Sequence, residues 1–154
     1  MQEKMYEKLC DHTTSVNTGE DMFENVLMCI DNDECLNEME EKLVSDMSHR
    51  KKVIKELARL RGQTLSETVR KIMQALFTDD LLTKYSYIGF KGKKNFSTLQ
   101  ICSIIFESIR QMKPFSAVPN VEVEKPLKNW MAQASNRIKK TVEKKVLTSD
   151  TNSI

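Results

Sequence analysis

Two histidines and four cysteines are the residues of this 154-residue sequence that most readily supply catalytic bases, nucleophiles or metal ligands; they are His12, His49, Cys10, Cys29, Cys35 and Cys102. No two cysteines form a C-x-x-C pair, and neither histidine has a partner serine or cysteine in a recognisable motif. We therefore expect a non-enzymatic protein with reduced thiols, no cofactor, no bound metal and no small-molecule substrate. A tetrahedral zinc site built from residues distant in sequence is the less favoured alternative.

The segment Gly89-Phe-Lys-Gly-Lys-Lys94 combines two glycines with three lysines. It is not a Walker motif, because the glycine spacing differs and no strand precedes it. Glycine lets a phosphate approach the backbone closely, so we predict that Lys91, Lys93 and Lys94 contact nucleic-acid phosphates. Asn95, which follows them, is a candidate reader of a base edge. The alternative is a solvated turn that neighbouring aromatic residues anchor to the core.

Two further basic clusters lie on predicted helices. The first spans residues 50–61, where positions 51, 55 and 59 recur every four residues and so share one side of a helix. Four of its members are predicted phosphate contacts: Arg50, Lys51, Lys55 and Arg59. The second cluster lies on the last predicted helix and comprises Arg137, Lys139, Lys140, Lys144 and Lys145.

The net charge of +2 conceals a strong asymmetry along the chain. Residues 1–47 carry a net charge of −10, residues 48–113 a net charge of +9, and residues 114–154 a net charge of +3. Such a division predicts DNA or another polyanion as the partner of the basic part. The alternative is that the acidic segment folds back onto the basic one.

The composition predicts an all-α protein, a compact bundle of about five helices. Leu, Met, Glu and Lys are abundant and favour helices, whereas the chain has only 4 glycines and 3 prolines. We expect Asp31 or Asp33 to cap the first helix, and Gly62 to close the second in a left-handed conformation. Two capping boxes, Thr64–Glu67 and Ser97–Gln100, are predicted to begin later helices.

The predicted organisation has five parts. A flexible acidic arm (1–30) precedes a helical core domain (31–113). A proline-containing linker (114–125) then leads to an amphipathic basic helix (126–147) and a disordered tail (148–154).

The last predicted helix has Pro126 in its first turn. Its apolar stripe contains Trp130, Met131 and Ile138, which we predict dock on the same domain or on a second copy of the chain in a homodimer. The sequence has no run of ~18 apolar residues and no secretory signal. We therefore expect a nuclear or cytoplasmic protein that is not secreted and does not bind membranes.

The stretch from about residue 33 to residue 110 resembles the domain-of-unknown-function 4806 family. The residues that carry this resemblance lie in three segments: Thr68–Leu82, Lys84–Lys94 and Phe96–Ile109. They give an apolar helix ending in Leu-Phe-Thr, a Tyr-Ser…Gly…Gly-Lys element, and a closing apolar helix. The family implies a domain boundary and no activity. The same order of elements is distantly similar to the BEN domain, an all-helical module that binds DNA or protein partners.

The sequence thus predicts a non-enzymatic nucleic-acid-binding module, most plausibly for DNA, acting in transcription, chromatin or mobile-element biology. The alternative is a protein-interaction or self-association module. The first prediction requires the positive side chains between Arg50 and Lys113 to converge on one surface.

Overall fold

The computed structural model describes the backbone of residues 29–152 and the side chains of residues 29–145. Most of the predicted acidic arm lies outside this range. The described residues form seven α-helices, which confirms the all-α class: α1 (Asp33–Ser45), α2 (Met47–Ala58), α3 (Leu65–Leu76), α4 (Asp79–Leu82), α5 (Gln100–Arg110), α6 (Asn120–Ala132) and α7 (Ala134–Asn152).

A short connection between α4 and α5 contains the only strand pair of the described range. Strand β1 (Tyr85–Ser86) pairs in parallel with β2 (Lys94–Asn95), and a single 3-10 turn (Phe90–Gly92) lies between them. A second 3-10 turn (Lys113–Phe115) follows α5. We call residues 87–93 the lysine loop.

The first two helices begin at caps that the sequence placed nearly correctly. The side chain of Asn32 accepts a hydrogen bond from the Cys35 amide at 2.8 Å, so Asn32, rather than Asp31 or Asp33, caps α1. Asp46 ends α1 and caps α2 through the His49 amide at 3.1 Å.

The capping box at the start of α3 is confirmed. The Thr64 hydroxyl accepts from the Glu67 amide at 3.1 Å, and the Glu67 carboxylate accepts from the Gln63 amide at 3.1 Å. The predicted left-handed closure at Gly62 is wrong, since the positive-φ glycines are Gly89 and Gly92. Gly62 is needed for space instead, because a Cβ there would lie 2.7 Å from Cγ of Glu67.

The second predicted capping box is wrong. Helix α5 begins at Gln100 with no side-chain cap from Ser97, whose amide and hydroxyl both bind the Asn95 side chain. The carboxylate of Glu40, from α1, accepts hydrogen bonds from the amides of Gln100 (2.7 Å) and Ile101 (2.8 Å). A distant carboxylate therefore replaces the local cap, in the position that the helix dipole favours.

The C-terminal part of the chain differs most from expectation. Helix α6 begins at Asn120, within the predicted linker, so Pro126 lies inside it rather than in its first turn. Val123, Leu127 and Met131 repeat every four residues and are buried, which holds this helix against the domain despite the proline. Helix α7 continues to Asn152, through most of the predicted tail, because the sequence from 134 to 152 contains no glycine or proline.

The core forms where helices from before the lysine loop pack against helices from after it. Helix α1 packs on α2 and α5, α2 on α5, α3 on α6, and α4 on α7. Helix α5 buries seven of its eleven residues, in agreement with the prediction that it is the most buried helix. Ile30 adds a backbone bridge to Phe77, with its amide donating to the Leu76 carbonyl at 2.6 Å.

Candidate nucleic-acid interface

Arg50, the first predicted phosphate contact, is directed into the fold. Its guanidinium donates to Gln100 Oε1 at 3.1 Å and forms an ion pair with Glu107 at 3.2 Å. Its side chain is 16% exposed. Helix α2 therefore uses Arg50 to hold α5, and the prediction that it lies on an open basic surface is wrong.

The remaining residues of that cluster are unequal. Lys51 and Lys55 are exposed on α2, and Arg59 is exposed but forms an ion pair with Glu56 at 3.2 Å. Within residues 29–145, no hydrogen bond or ion pair joins these residues to the lysine loop.

Lys94 and Asn95, at the end of the lysine loop, take structural roles. Lys94 forms an ion pair with Asp33 at 2.8 Å, and this bond lowers the pKa of the Asp33 carboxyl. Asp33 also accepts from the Tyr85 hydroxyl at 3.0 Å. The Asn95 side chain is occupied by Ser97, so Asn95 is not free to read a base edge. The alternative prediction, that the acidic segment folds back onto basic residues, is correct at this contact.

Lys91 and Lys93 are exposed in the lysine loop. Lys91 has a φ of 55° and its ammonium lies 5.6 Å from the ring centre of Phe90. Phe90 (62% exposed) and Ile88 (65% exposed) give the loop an apolar tip. The loop therefore presents two lysines and two apolar side chains to solvent.

The predicted interaction residues lie on the domain itself. Met131 is buried, and both Trp130 and Ile138 are half-buried. The Arg137 guanidinium lies 3.4 Å from the ring centre of Trp130 and stacks on it. Of the two alternatives, docking on the same domain describes these residues.

A groove between α3 and the junction of α6 with α7 brings basic side chains together. Its volume is about 620 Å³, and its lining has four cations, several amides and no carboxylate. We call it the basic groove; its lining residues are Ser66, Arg70, Lys125, Pro126, Asn129, Trp130, Gln133, Asn136, Arg137 and Lys140.

Arg137 fixes the wall of the basic groove. Its Nε and Nη2 donate to Asp79 Oδ1 at 2.9 and 2.7 Å, and its Nη1 donates to the Trp130 carbonyl at 2.8 Å. Lys125 forms an ion pair with Glu122 at 3.2 Å. Arg70 and Lys140 are exposed and make no ion pair with any residue in the described part of the chain. Two of the four cations are thus balanced and two are not.

Sequence reasoning placed Trp130 on an interaction surface and Arg137 and Lys140 in a basic cluster, but it missed Arg70 and Lys125. Arg70 is on the polar face of α3, and Lys125 lay in the predicted linker. Recognition of Val123, Leu127 and Met131 as a helical repeat would have placed Lys125 on a helix. The juxtaposition with Arg70 depends on the packing of α3 on α6, which no local pattern encodes.

The candidate catalytic residues have surroundings that suit packing. Burial raises the pKa of the Cys102 thiol to about 12, so the thiol is protonated near neutrality. Burial also lowers the pKa of His49, whose Nε2 is enclosed and lacks a hydrogen-bond partner among the described residues. In the same range no group of three or more His, Cys, Asp and Glu side chains is placed to hold a metal ion. None of the helices seen there is long and apolar enough to span a membrane.

Comparison with known proteins gives one match. A family model described as a domain of unknown function, DUF4806, matches residues 22–109, which is more than half of the chain. No curated protein and no solved structure matches. The distant similarity to the BEN domain has no support from these comparisons. The matched region includes α1 to α5 and ends before α6, which supplies most of the lining of the basic groove.

Proposed function

The chain belongs to the DUF4806 family, and since that description assigns no activity, we propose from the geometry that the protein binds nucleic acid, with DNA as the favoured ligand, through the basic groove. One observation carries the proposal: three helices place four cations around a groove that no carboxylate lines. Phosphate oxygens are the ligands that such a set of guanidinium, ammonium and amide donors suits.

The two unbalanced cations carry most of the expected affinity. Arg137 and Lys125 already have carboxylate partners, so a phosphate must compete for them. Arg70 and Lys140 have none in the described range, and each releases counterions when it neutralises a phosphate. Lys140 is followed one turn later by Lys144 on the same side of α7, which extends the positive surface along that helix.

The proposal is tested by the salt dependence of binding to a fluorescently labelled DNA duplex. We expect the double variant Arg70→Ala/Lys140→Ala to bind more weakly and to lower the slope of log K against log salt by up to about 1.8, since each phosphate contact contributes ~0.9. Both residues are exposed, so their truncation leaves the core intact.

A matched control is the double variant Lys51→Ala/Lys55→Ala. It removes the same charge from exposed positions of α2 outside the groove, and we expect it to keep the wild-type slope. Equal losses in the two variants would mean that only net charge matters and would contradict the assignment to the groove. Absence of any complex at low salt would contradict nucleic-acid binding itself.

Self-association is the second candidate function, and the apolar tip of the lysine loop favours it. Ile88 and Phe90 are both more than 60% exposed, and two copies of the chain would bury them by pairing their loops. Light scattering then gives a dimer that Phe90→Ala dissociates, whereas Val142→Ala, at another exposed apolar site, has no effect. A monomer over the working concentration range would exclude this candidate.

A further inference from the structure

The N-terminal segment, residues 1–28, has the charge that the basic groove lacks. It contains six acidic residues and two lysines, a net charge of −4. Three of the acidic residues, Glu20, Asp21 and Glu24, lie within nine positions of Cys29, where the described chain begins.

The described chain begins beside the groove. Ile30 pairs with Phe77, and its carbonyl accepts from the Thr78 amide at 3.0 Å. The next residue, Asp79, acts electrostatically on Cys29 and helps to raise the pKa of its thiol, after the larger effect of burial. Asp79 also binds Arg137, which lines the groove, so the chain emerges next to the wall that Arg137 forms.

The acidic residues are within reach of the groove. An extended chain advances about 3.3–3.6 Å per residue, so Glu24 reaches roughly 17 Å from Cys29, and Glu20 roughly 30 Å. Lys140 and Arg70, the cations without ion-pair partners in the described range, are within that reach only if the segment turns towards α7.

We propose that the acidic N-terminal segment is an intramolecular occupant of the basic groove, where its carboxylates pair with Arg70 and Lys140 and exclude other anions. This inference rests on the proposed function in one respect: it takes the same groove, and it makes the segment a competitor of nucleic acid. The effective concentration of a tethered segment is high, so even weak pairing holds the groove closed at low salt.

The single tryptophan of the chain, Trp130, lies in the groove and reports its occupancy without any nucleic acid. The test measures quenching of its fluorescence by iodide and by the neutral quencher acrylamide, in the full chain and in the variant Glu20→Gln/Asp21→Asn/Glu24→Gln. We expect the iodide quenching constant to rise about twofold in the variant at low salt, because the groove then attracts the anion. The acrylamide constant rises too, because the ring is no longer covered.

The matched control is Glu34→Gln/Glu38→Gln/Glu41→Gln, which removes the same charge from exposed positions of α1. It is expected to leave both constants unchanged. Equal changes in the two variants, or a change with iodide alone, would overturn the inference, because a distant field and not occupancy would then explain the result. Unchanged constants in the variant would also overturn it.

The two proposals fail separately. If the quenching constants respond but no DNA complex forms, the segment occupies the groove and nucleic-acid binding is wrong. If DNA binds equally well with and without the three carboxylates and quenching is unchanged, the groove binds nucleic acid and the segment does not cover it. If both are correct, the variant binds DNA more tightly than the wild type at low salt, and the difference shrinks as salt rises.

Discussion

Glu40 and Arg50 are charged residues whose sequence positions look like solvent-facing helix positions. Glu40 binds two amides at the start of α5, and Arg50 binds three side chains along the same helix. In each case the partner lies 50 or more residues away in the sequence. A charge count therefore overestimates the basic surface of α2, because part of it is spent on holding α5.

Replacement of Glu40 by alanine is expected to destabilise the protein. The substitution leaves two amides at the start of α5 without acceptors, and loss of a helix cap costs about 1–2 kcal/mol of unfolding free energy. Urea denaturation measures the loss. The neighbouring variant Glu41→Ala, at an exposed position of α1, serves as the control and should lie within about 0.5 kcal/mol of the wild type. A Glu40→Ala variant as stable as that control would contradict the capping role.

His49 is expected to make stability depend on pH. Burial lowers the pKa of the folded imidazole below its ordinary value of 6.5, with Lys42 and Lys52 acting in the same direction and Asp46 against them. The unfolded chain then binds the proton more readily, so stability is full above pH 6.5 and declines as the pH falls below it. Urea midpoints across this range measure the decline.

The variants His49→Gln and His12→Gln assign that effect, because the chain has two histidines. The His49 variant should lose the decline between neutrality and about pH 5, the interval below the ordinary histidine pKa. The His12 variant should retain it. The reverse result would place the titrating group outside the described residues.

The helices differ in how far local sequence determines their ends. The start of α3 was predictable because its cap, Thr64, and its reciprocal partner, Glu67, are three residues apart. The start of α5 was not, because Glu40 competes successfully with Ser97 from 60 positions away. The start of α6 was missed because the proline at 126 suggested a first turn, whereas burial of Val123 and Leu127 extends the helix upstream.

The candidate site was predictable only in its chemistry. Clustered lysines and arginines indicated a polyanion partner, yet the groove combines Arg70 with Arg137, which lie on helices separated by more than 60 residues. The packing of α3 on α6 and of α4 on α7 determines that combination. Local patterns identify which residues carry charge, and packing decides which of them meet.

Helix α7 is held to the domain largely by one guanidinium, so Arg137→Lys is expected to loosen it. A lysine has one ammonium group, which cannot bind both Asp79 and the Trp130 carbonyl, and it does not stack as a plane on the indole. We expect a loss of about 1–2 kcal/mol in unfolding free energy. Faster amide hydrogen exchange in α7 should accompany this loss.

Lys139→Ala is the control for that variant, because Lys139 is exposed on the same helix two residues away. It should change neither the unfolding free energy nor the exchange rates. If Arg137→Lys behaves like this control, the bonds to Asp79 and Trp130 contribute nothing measurable to the docking of α7.

The molecule as a whole extends beyond the region that the family model matches. The match ends at residue 109, but α6 covers α3 and buries Val123, Leu127 and Met131 in the common core. The folded unit of this chain therefore includes α6, and a fragment cut at the family boundary lacks one side of its core.

The variant Leu127→Ala tests whether α6 is integral to the core. Leu127 is fully buried, and truncation of such a leucine costs about 2–5 kcal/mol because it leaves a cavity. Val121→Ala, at a position of the same helix that is 53% exposed, should cost less than about 0.5 kcal/mol. Thermal or urea denaturation of both variants gives the comparison, and equal stabilities would mean that α6 is peripheral.

The pairing of each early helix with a later one has a consequence for synthesis of the chain. Helices α2, α3 and α4 have their principal partners in α5, α6 and α7, about 50 positions further along. At about 5–20 residues per second, a ribosome needs roughly 3–10 s to supply those partners. During that interval the apolar faces of the nascent helices have nothing of their own chain to pack against, so chaperone binding at this stage would favour correct folding.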